Sequence, residues 1–381
     1  MNELRKRVGE SLRVSGPLWT ASLILERVVH VNLLGRWPAR RVPVERLRDQ
    51  VLAILGAWGM PETEAATTAD HLIYPDLCGI DAHGVAMLLH YHRAVSDGTM
   101  AVPARVEVVA EGPATAVLDG GGGLGHVAAD RAMRVAIEKA REVGVAAVVV
   151  RRSGHFGAAG SYAAMAGEAG LLGLVTTNTL EPAVVPTFGA DPMLGTNAIS
   201  FAAPSSSRRG FLLDMATSTV SLGKVLTRWR EGRRIPAGWA LDSRGRPVRN
   251  GRLAAAQRRL TPLGSRPETA SHKGYGLAAM VEILSGALPG LSAQGGGVGH
   301  FFCVVDPGRF RDDGGLGRDV DLLADSLRAG RPMAPDRPIL VAGDPERAAR
   351  DQRLRDGIPL SRSMIEDIRT VAHRSRVPFI L

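Results

Sequence analysis

Apolar residues fall into helical register as soon as the patterned part of the chain begins: Val44, Leu47, Val51, Leu52 and Leu55 share one helix face. Pro61 suits the start of a second helix, with Glu62 and Glu64 at its positive end, and that pattern runs to Leu77 and stops near Gly79. Asp81 to Gly84 then connects to a third amphipathic stretch through Leu88, Tyr91 and Val95. From Thr115 the period shortens. Strands are expected over 115–118, 145–150, 171–176, 199–202, 211–213, 301–305 and 338–341. Helices are expected over 127–142, 158–169, 273–288, 315–329, 345–355 and 361–373. Residues 228–269, rich in Arg and Gly, read as a loop-dominated excursion. A helical start followed by alternating strands and helices predicts an α/β sheet domain with a small helical lobe.

Composition narrows the class. With 381 residues, 45% of them hydrophobic and 22% charged, the chain has the profile of a globular protein that buries a large interior. The net charge of +9 suggests a nucleic-acid partner until its position is considered. Residues 1–41 hold eight of the Arg and Lys residues against three Glu, so more than half of the excess sits there. The remainder is nearly balanced and carries no basic stripe interleaved with aromatics, so no nucleic-acid partner is expected. Cys78 and Cys303 form neither a metal-ligand spacing nor a disulfide framework, which fits a reducing, cytoplasmic setting without a bound metal. No run matches a membrane span, because the apolar stretch 17–35 is cut by Glu26, Arg27 and His30. Residues 1–41 are read as an N-terminal extension, disordered or spurious.

Four constellations carry chemistry. Gly120, Gly122 and Gly125 form G-x-G-x-x-G between a strand and a helix, the pattern of a dinucleotide fold. The acidic residue that should end the next strand is missing, since that strand runs into Arg151 and Arg152, so the glycines read as a flexible turn. His83, in Asp81-Ala82-His83-Gly84, is a titratable group in a polar connection. The run Ser153-Gly154-His155-Phe156-Gly157-Ala158-Ala159-Gly160 places His155 at a strand C-terminus beside a helix N-terminus, where α/β sheets bind ligands and the helix dipole favours anions. Lys273 opens a helix, where the dipole disfavours a cation. That misfit points to a ligand. Small polar side chains around Asn178, Thr196 and Asp214 flank further strands.

Taken in order, His83-Gly84-Val85, Gly154 to Gly160, Gly195-Thr196-Asn197, Asp214 to Ser218, Gly223-Lys224, Lys273 to Leu277, Gly299 to Phe302 and Gly343 to Glu346 resemble the malate/L-lactate dehydrogenase family. The resemblance runs from about Val42 to the C-terminus. It implies a non-Rossmann, mixed-sheet NAD(P)-binding fold, with a helical lobe over 42–110, the α/β domain over 111–330 and a tail, 331–381, returning to the lobe. It further implies a homodimer using NAD or NADP on a small 2-hydroxy or 2-oxo acid. By the same resemblance His155 is the proton acceptor and His83 a second catalytic histidine, while Tyr91, Thr196, Asn197 and Lys224 line the substrate pocket. Cofactor contacts would come from Gly154, Phe156, Gly157, Ala158, Asn178, Thr179, Glu181, Asp214, Met215, Ala216, Thr217, His272, Lys273, Gly274, Ala342, Gly343 and Asp344. Two positions depart from the family pattern: Ala82 replaces a Ser, and Met87 replaces an Arg that would clamp a carboxylate with paired hydrogen bonds. Two alternatives stay open, a cyclic imino acid reductase and a binding homologue with impaired catalysis.

Overall fold

A computed structural model describes residues 39–381 other than 208, 231 and 292–296, so most of the N-terminal extension lies outside the described residues. The first helices form as their apolar stripes demand. α1 (Val44–Ala57) buries Leu47, Val51, Ile54 and Leu55, and α2 (Glu62–Leu77) and α3 (Leu88–Ser96) pack with it. The chain's end closes this core. β1 (Arg40–Val42) pairs antiparallel with β11 (Ile358–Leu360), and α11 (Arg362–Arg374) adds Ile365, Ile368 and Val371.

The central sheet has seven strands in the order β2 (Glu107–Glu111), β3 (Thr115–Asp119), β4 (Val145–Ser153), β10 (Val298–Val305), β5 (Leu172–Thr177), β6 (Ala198–Ala203) and β7 (Phe211–Met215). Only β3 and β4 run parallel; every other neighbouring pair is antiparallel. A doubly wound parallel sheet is therefore excluded. α4 (Gly125–Val143) reaches the sheet closely because Ala128, Ala129, Ala132, Ala136 and Ala140 are all fully buried on one face. α5 (Ala159–Glu168) shares that core.

Several expectations are corrected. The glycine run 120–125 is a turn between strand and helix, as expected, but one whose N–H groups are engaged. The N–H groups of Gly120 and Gly122 donate to Arg151 and Arg152 carbonyls, that of Gly121 to Asp119, that of Gly123 to Gly120 and that of Gly125 to the His155 carbonyl. No glycine N–H remains for a pyrophosphate. A Cβ on Gly125 would lie 2.4 Å from the Gly154 oxygen, so the run exists to let two backbones touch under the His155 loop. Residues 338–341 form no strand; Ala342 only accepts one bond from Leu212 N. The excursion 228–269 has its own small core: α6 (Leu222–Arg230), α7 (Gly251–Gln257) and the ribbon β8 (Ala240–Leu241) with β9 (Pro247–Val248) enclose Val225, Ile235 and Leu260. β2 is an exposed edge strand without alternation, which hid it.

Four aromatic rings join the sheet to the helices. His300 of β10 lies parallel to Phe156 at 4.3 Å, Phe156 stacks on Tyr162 at 4.8 Å, and Tyr162 lies 4.3 Å from His71 of α2. The imidazoles at the two ends are fully engaged. His300 meets Thr177 and Ser153, and His71 meets Ser161 at 2.5 Å and Asp130 at 3.3 Å. His126, beside this stack, is fully buried with neither ring nitrogen partnered, and burial pushes it down to about 3. A histidine held neutral in the fold takes up a proton only on unfolding, so its contribution to stability is present above its unfolded value near 6.5 and lost as the pH falls toward 3. His126→Phe is expected to gain on wild type as the pH falls from 6.5 to 5, with a slope that rises toward about 1.4 kcal/mol per pH unit. Urea midpoints across that range check this, and a pH-independent difference contradicts it.

Candidate active site

The His155 loop is fixed from several sides. After β4, Gly154 packs where a Cβ would lie 2.6 Å from the Gly123 oxygen, and Tyr162 donates to the Phe156 carbonyl at 2.6 Å. The His155 ring is half-buried. Its Nδ1 lies 2.6 Å from the Tyr91 hydroxyl and 3.3 Å from Gly157 N, whereas Nε2 has no protein partner among the described contacts. Tyr91 itself is fully buried, behind His155. His83 stacks on His155 at 5.5 Å with 17° between the rings. Burial first, and then the nearby His83, hold His155 well below the usual histidine range; burial also lowers His83, whose Nδ1 is unpartnered. The site is therefore built around neutral imidazoles.

The His83 loop rests on a buried acid. Asp76 of α2 accepts from Val85 N at 2.8 Å, and a Cβ on Gly84 would strike its carboxylate at 2.2 Å. Burial raises the Asp76 carboxyl well above its usual range beneath the loop. On the other side a Cβ on Gly223 would reach Ala82 at 2.9 Å, so the first turn of α6 lies against the loop and brings the exposed Lys224 beside it. A side chain larger than Ala82 would crowd that approach. Arg93, two residues beyond Tyr91 on α3, projects about 200° away from it and so away from His155.

The remaining expected residues divide. Asn178 and Asn197 meet at Glu282 of α8 (Ser271–Glu282), donating to its two oxygens at 3.1 and 3.0 Å, and Thr217 binds the carbonyls of Thr196 and Asn197. Glu282, not foreseen, is the hub of this group; an acid in the apolar run Ala278 to Leu284 was the available signal. Asp214 at the end of β7 accepts from Gly160 N at 2.9 Å, so the positive end of α5 is occupied by the protein's own carboxyl, which burial raises to about 7. Met215 and Ala216 follow it, half-buried. Glu181 turns outward to an ion pair with Arg258. Asp344, at the head of α10 (Asp344–Asp356), is held by Arg328 and Arg347 and by Val341 N, which push its carboxyl well below the usual range. Gly343, with φ of 94°, packs against Leu212. Gly274 is needed for packing, since a Cβ there would meet the Leu263 backbone at 2.2 Å. His71, Asp130, Ser161, His126 and His300, which frame the loop from behind, were not foreseen as a group.

Two observations fit a dinucleotide. Asn197 Oδ1 is buried without a donor, and a Cβ on Gly195 would fall within 2.5 Å of it and 2.1 Å of Thr179 Oγ1, so only a glycine backbone fits against this unsatisfied acceptor. His272 and Lys273 stand exposed in the first turn of α8, where they can meet anionic phosphates. Among the described residues no cluster of His, Cys, Asp and Glu could hold a metal, and no helix is long and apolar enough to cross a membrane.

Comparison with known proteins agrees with this architecture. Residues 42–369 match the family model described as malate/L-lactate dehydrogenase. The chain is 37% identical to the malate dehydrogenase of Pyrococcus horikoshii over 344 residues, covering 88% of this chain and 95% of that one. The crystal structure of malate dehydrogenase from Entamoeba histolytica superposes with a TM-score of 0.86 at 30% identity, over 90% of this chain and 100% of that chain. The delta1-piperideine-2-carboxylate reductase of Pseudomonas syringae pvar. tomato gives 0.76 at 27% identity, over 87% and 100%. The chain, an oxidoreductase with a mixed α/β fold, belongs to the malate/L-lactate dehydrogenase family.

Proposed function

We propose that the protein transfers hydride between a nicotinamide cofactor, NAD or NADP, and the C2 carbon of a small 2-hydroxy or 2-oxo carboxylate such as malate or lactate, with His155 moving the proton. The observation that carries this reading is the division of labour on one imidazole. Nδ1 is held by Tyr91, while Nε2 is left without a protein partner in a half-buried setting. A group placed in this way can hold a proton at the substrate oxygen, and its depressed affinity keeps it neutral until substrate arrives. Bound nicotinamide supplies or accepts the hydride. His272 and Lys273 would hold its phosphates, Asn197 Oδ1 and Thr179 would receive donors from it, and Asp214 with Met215, Ala216 and Thr217 would line its path.

The substrate carboxylate needs a cation, and Met87 cannot provide one. Lys224 would supply it: it is exposed and follows Gly223, which lies against Ala82 of the His83 loop, whereas Arg93 faces away. His83, stacked on His155, would border the substrate there. A second reading, reduction of a cyclic imine carboxylate, draws on the likeness to the piperideine carboxylate reductase; it would use the same Lys224 and His155.

A panel of 2-oxo acids and cyclic imino acids with each reduced cofactor separates the two readings. Turnover is expected with the oxo acids; turnover with imines alone favours the second reading, and none with either overturns both. His155→Ala is expected to lower turnover about 100- to 10,000-fold while thermal unfolding stays near wild type, and near wild-type turnover contradicts the role given to His155. Lys224→Ala is expected to raise KM about tenfold or more with a smaller change in kcat, as loss of a charge-assisted bond of about 1.5–3 kcal/mol requires. An unchanged KM places the carboxylate elsewhere.

A further inference from the structure

We infer that Tyr91 is a positioning residue that holds neutral His155 as its Nε2–H tautomer, so that the free site presents a hydrogen-bond donor to the substrate oxygen. This rests on the acid-base role proposed for His155. The argument is an accounting of hydrogens around Nδ1. Gly157 N–H points at Nδ1 from 3.3 Å, and a backbone amide can only donate. Its direction is set by a left-handed φ of 81°, in a place where a Cβ would meet the His71 carbonyl at 3.2 Å. The Tyr91 hydroxyl, 2.6 Å from the same nitrogen, could in principle donate or accept. It is fully buried and has no other hydrogen-bond partner among the described contacts. If Tyr91 accepted from an Nδ1–H, its own hydrogen would be buried without an acceptor, and Gly157 N–H would face a second donor. Both costs vanish when Tyr91 donates. Nδ1 then carries the lone pair, and the single hydrogen of the neutral ring sits on Nε2.

Neutrality of the ring follows from its surroundings. Burial is the largest influence on it, His83 stacks on it, and among the described residues the ring has no carboxylate partner. The tautomer has a consequence for recognition. A 2-oxo acid offers only acceptors at C2, and Nε2–H meets its carbonyl directly. A 2-hydroxy acid can also bind as an acceptor, but giving its proton to Nε2 requires the ring hydrogen to move to Nδ1 and Tyr91 to turn from donor to acceptor. The resting site is thus set to receive the oxo acid; during reduction one proton from solvent is taken up at Nδ1 as Nε2–H passes to the substrate oxygen, so the ring ends neutral.

The test reads the ring itself and needs no substrate. The full-length protein, labelled with nitrogen-15 in histidine, is observed by long-range nitrogen–proton NMR near pH 7.5, with His155→Gln identifying the signal. The expected spectrum shows an unprotonated Nδ1 and a protonated Nε2 for His155. A protonated Nδ1, a doubly protonated ring or an even tautomer mixture overturns the inference. In Tyr91→Phe the Nε2–H population is expected to drop to a mixture, and reduction of an oxo acid to slow about tenfold or more. A pure Nε2–H ring in that variant overturns the part assigned to Tyr91. If the tautomer is as expected and no oxo or hydroxy acid turns over, the acid-base reading fails and the tautomer assignment stands.

Discussion

The contact between the Tyr91 hydroxyl and His155 Nδ1, 2.6 Å long, joins the two largest cores of the protein at a titratable group. Tyr91 belongs to the core of helices closed by β1, β11 and α11, and Phe156, next to His155, belongs to the core between the sheet and α4 and α5. A loop that must carry a reactive imidazole between two cores cannot rely on its own hydrogen bonds. It is therefore gripped by its neighbours: glycine backbones beneath, Tyr162 and His300 on either side of Phe156, and Tyr91 behind the ring. Much of the local glycine content follows from that grip.

The electrostatics follow from the same constraint. A carboxylate behind His155 would stabilise its charged form and raise its proton affinity. Tyrosine orients the ring without adding charge, and the surrounding histidines His126 and His300, pushed down to about 3 by burial, are neutral and offer no negative charge to stabilise an imidazolium. Asp76 and Asp214, buried beside the two loops, have their proton affinity raised by burial, Asp214 to about 7, which weakens the negative charge they carry. The cations Lys224 and Lys273 stand at the site's exposed margins, where anionic parts of substrate and cofactor would approach.

Much of this was legible in the chain. Helices α1 and α4 follow from periodicity, because each buries one continuous face, and β4 follows from the unbroken apolar run of an interior strand. His155 stood out for its place between a strand and a glycine-led helix. The glycine run matched a phosphate-binding pattern in spacing, but spacing does not reveal that its N–H groups are consumed by Arg151, Arg152 and His155 carbonyls. Residues 338–341 are apolar enough for a strand and find no strand to pair with. α6 was hidden by its Gly and its cations, and the leading Gly299-His300 of β10 by lacking the apolar run of an interior strand. Glu282, and the group of His71, Asp130 and Ser161, were invisible for a different reason: their partners lie about 60 to 100 residues away, and only the folded chain brings them together.

The central claim is direct hydride transfer to C2 with His155 handling the proton. It is tested most directly by reducing a 2-oxo acid with a nicotinamide cofactor deuterated at its reactive carbon and examining the product by mass spectrometry. The account predicts one deuterium on C2 of the hydroxy acid and hydrogen from solvent on its oxygen. A hydroxy acid whose C2 hydrogen comes from solvent would contradict it.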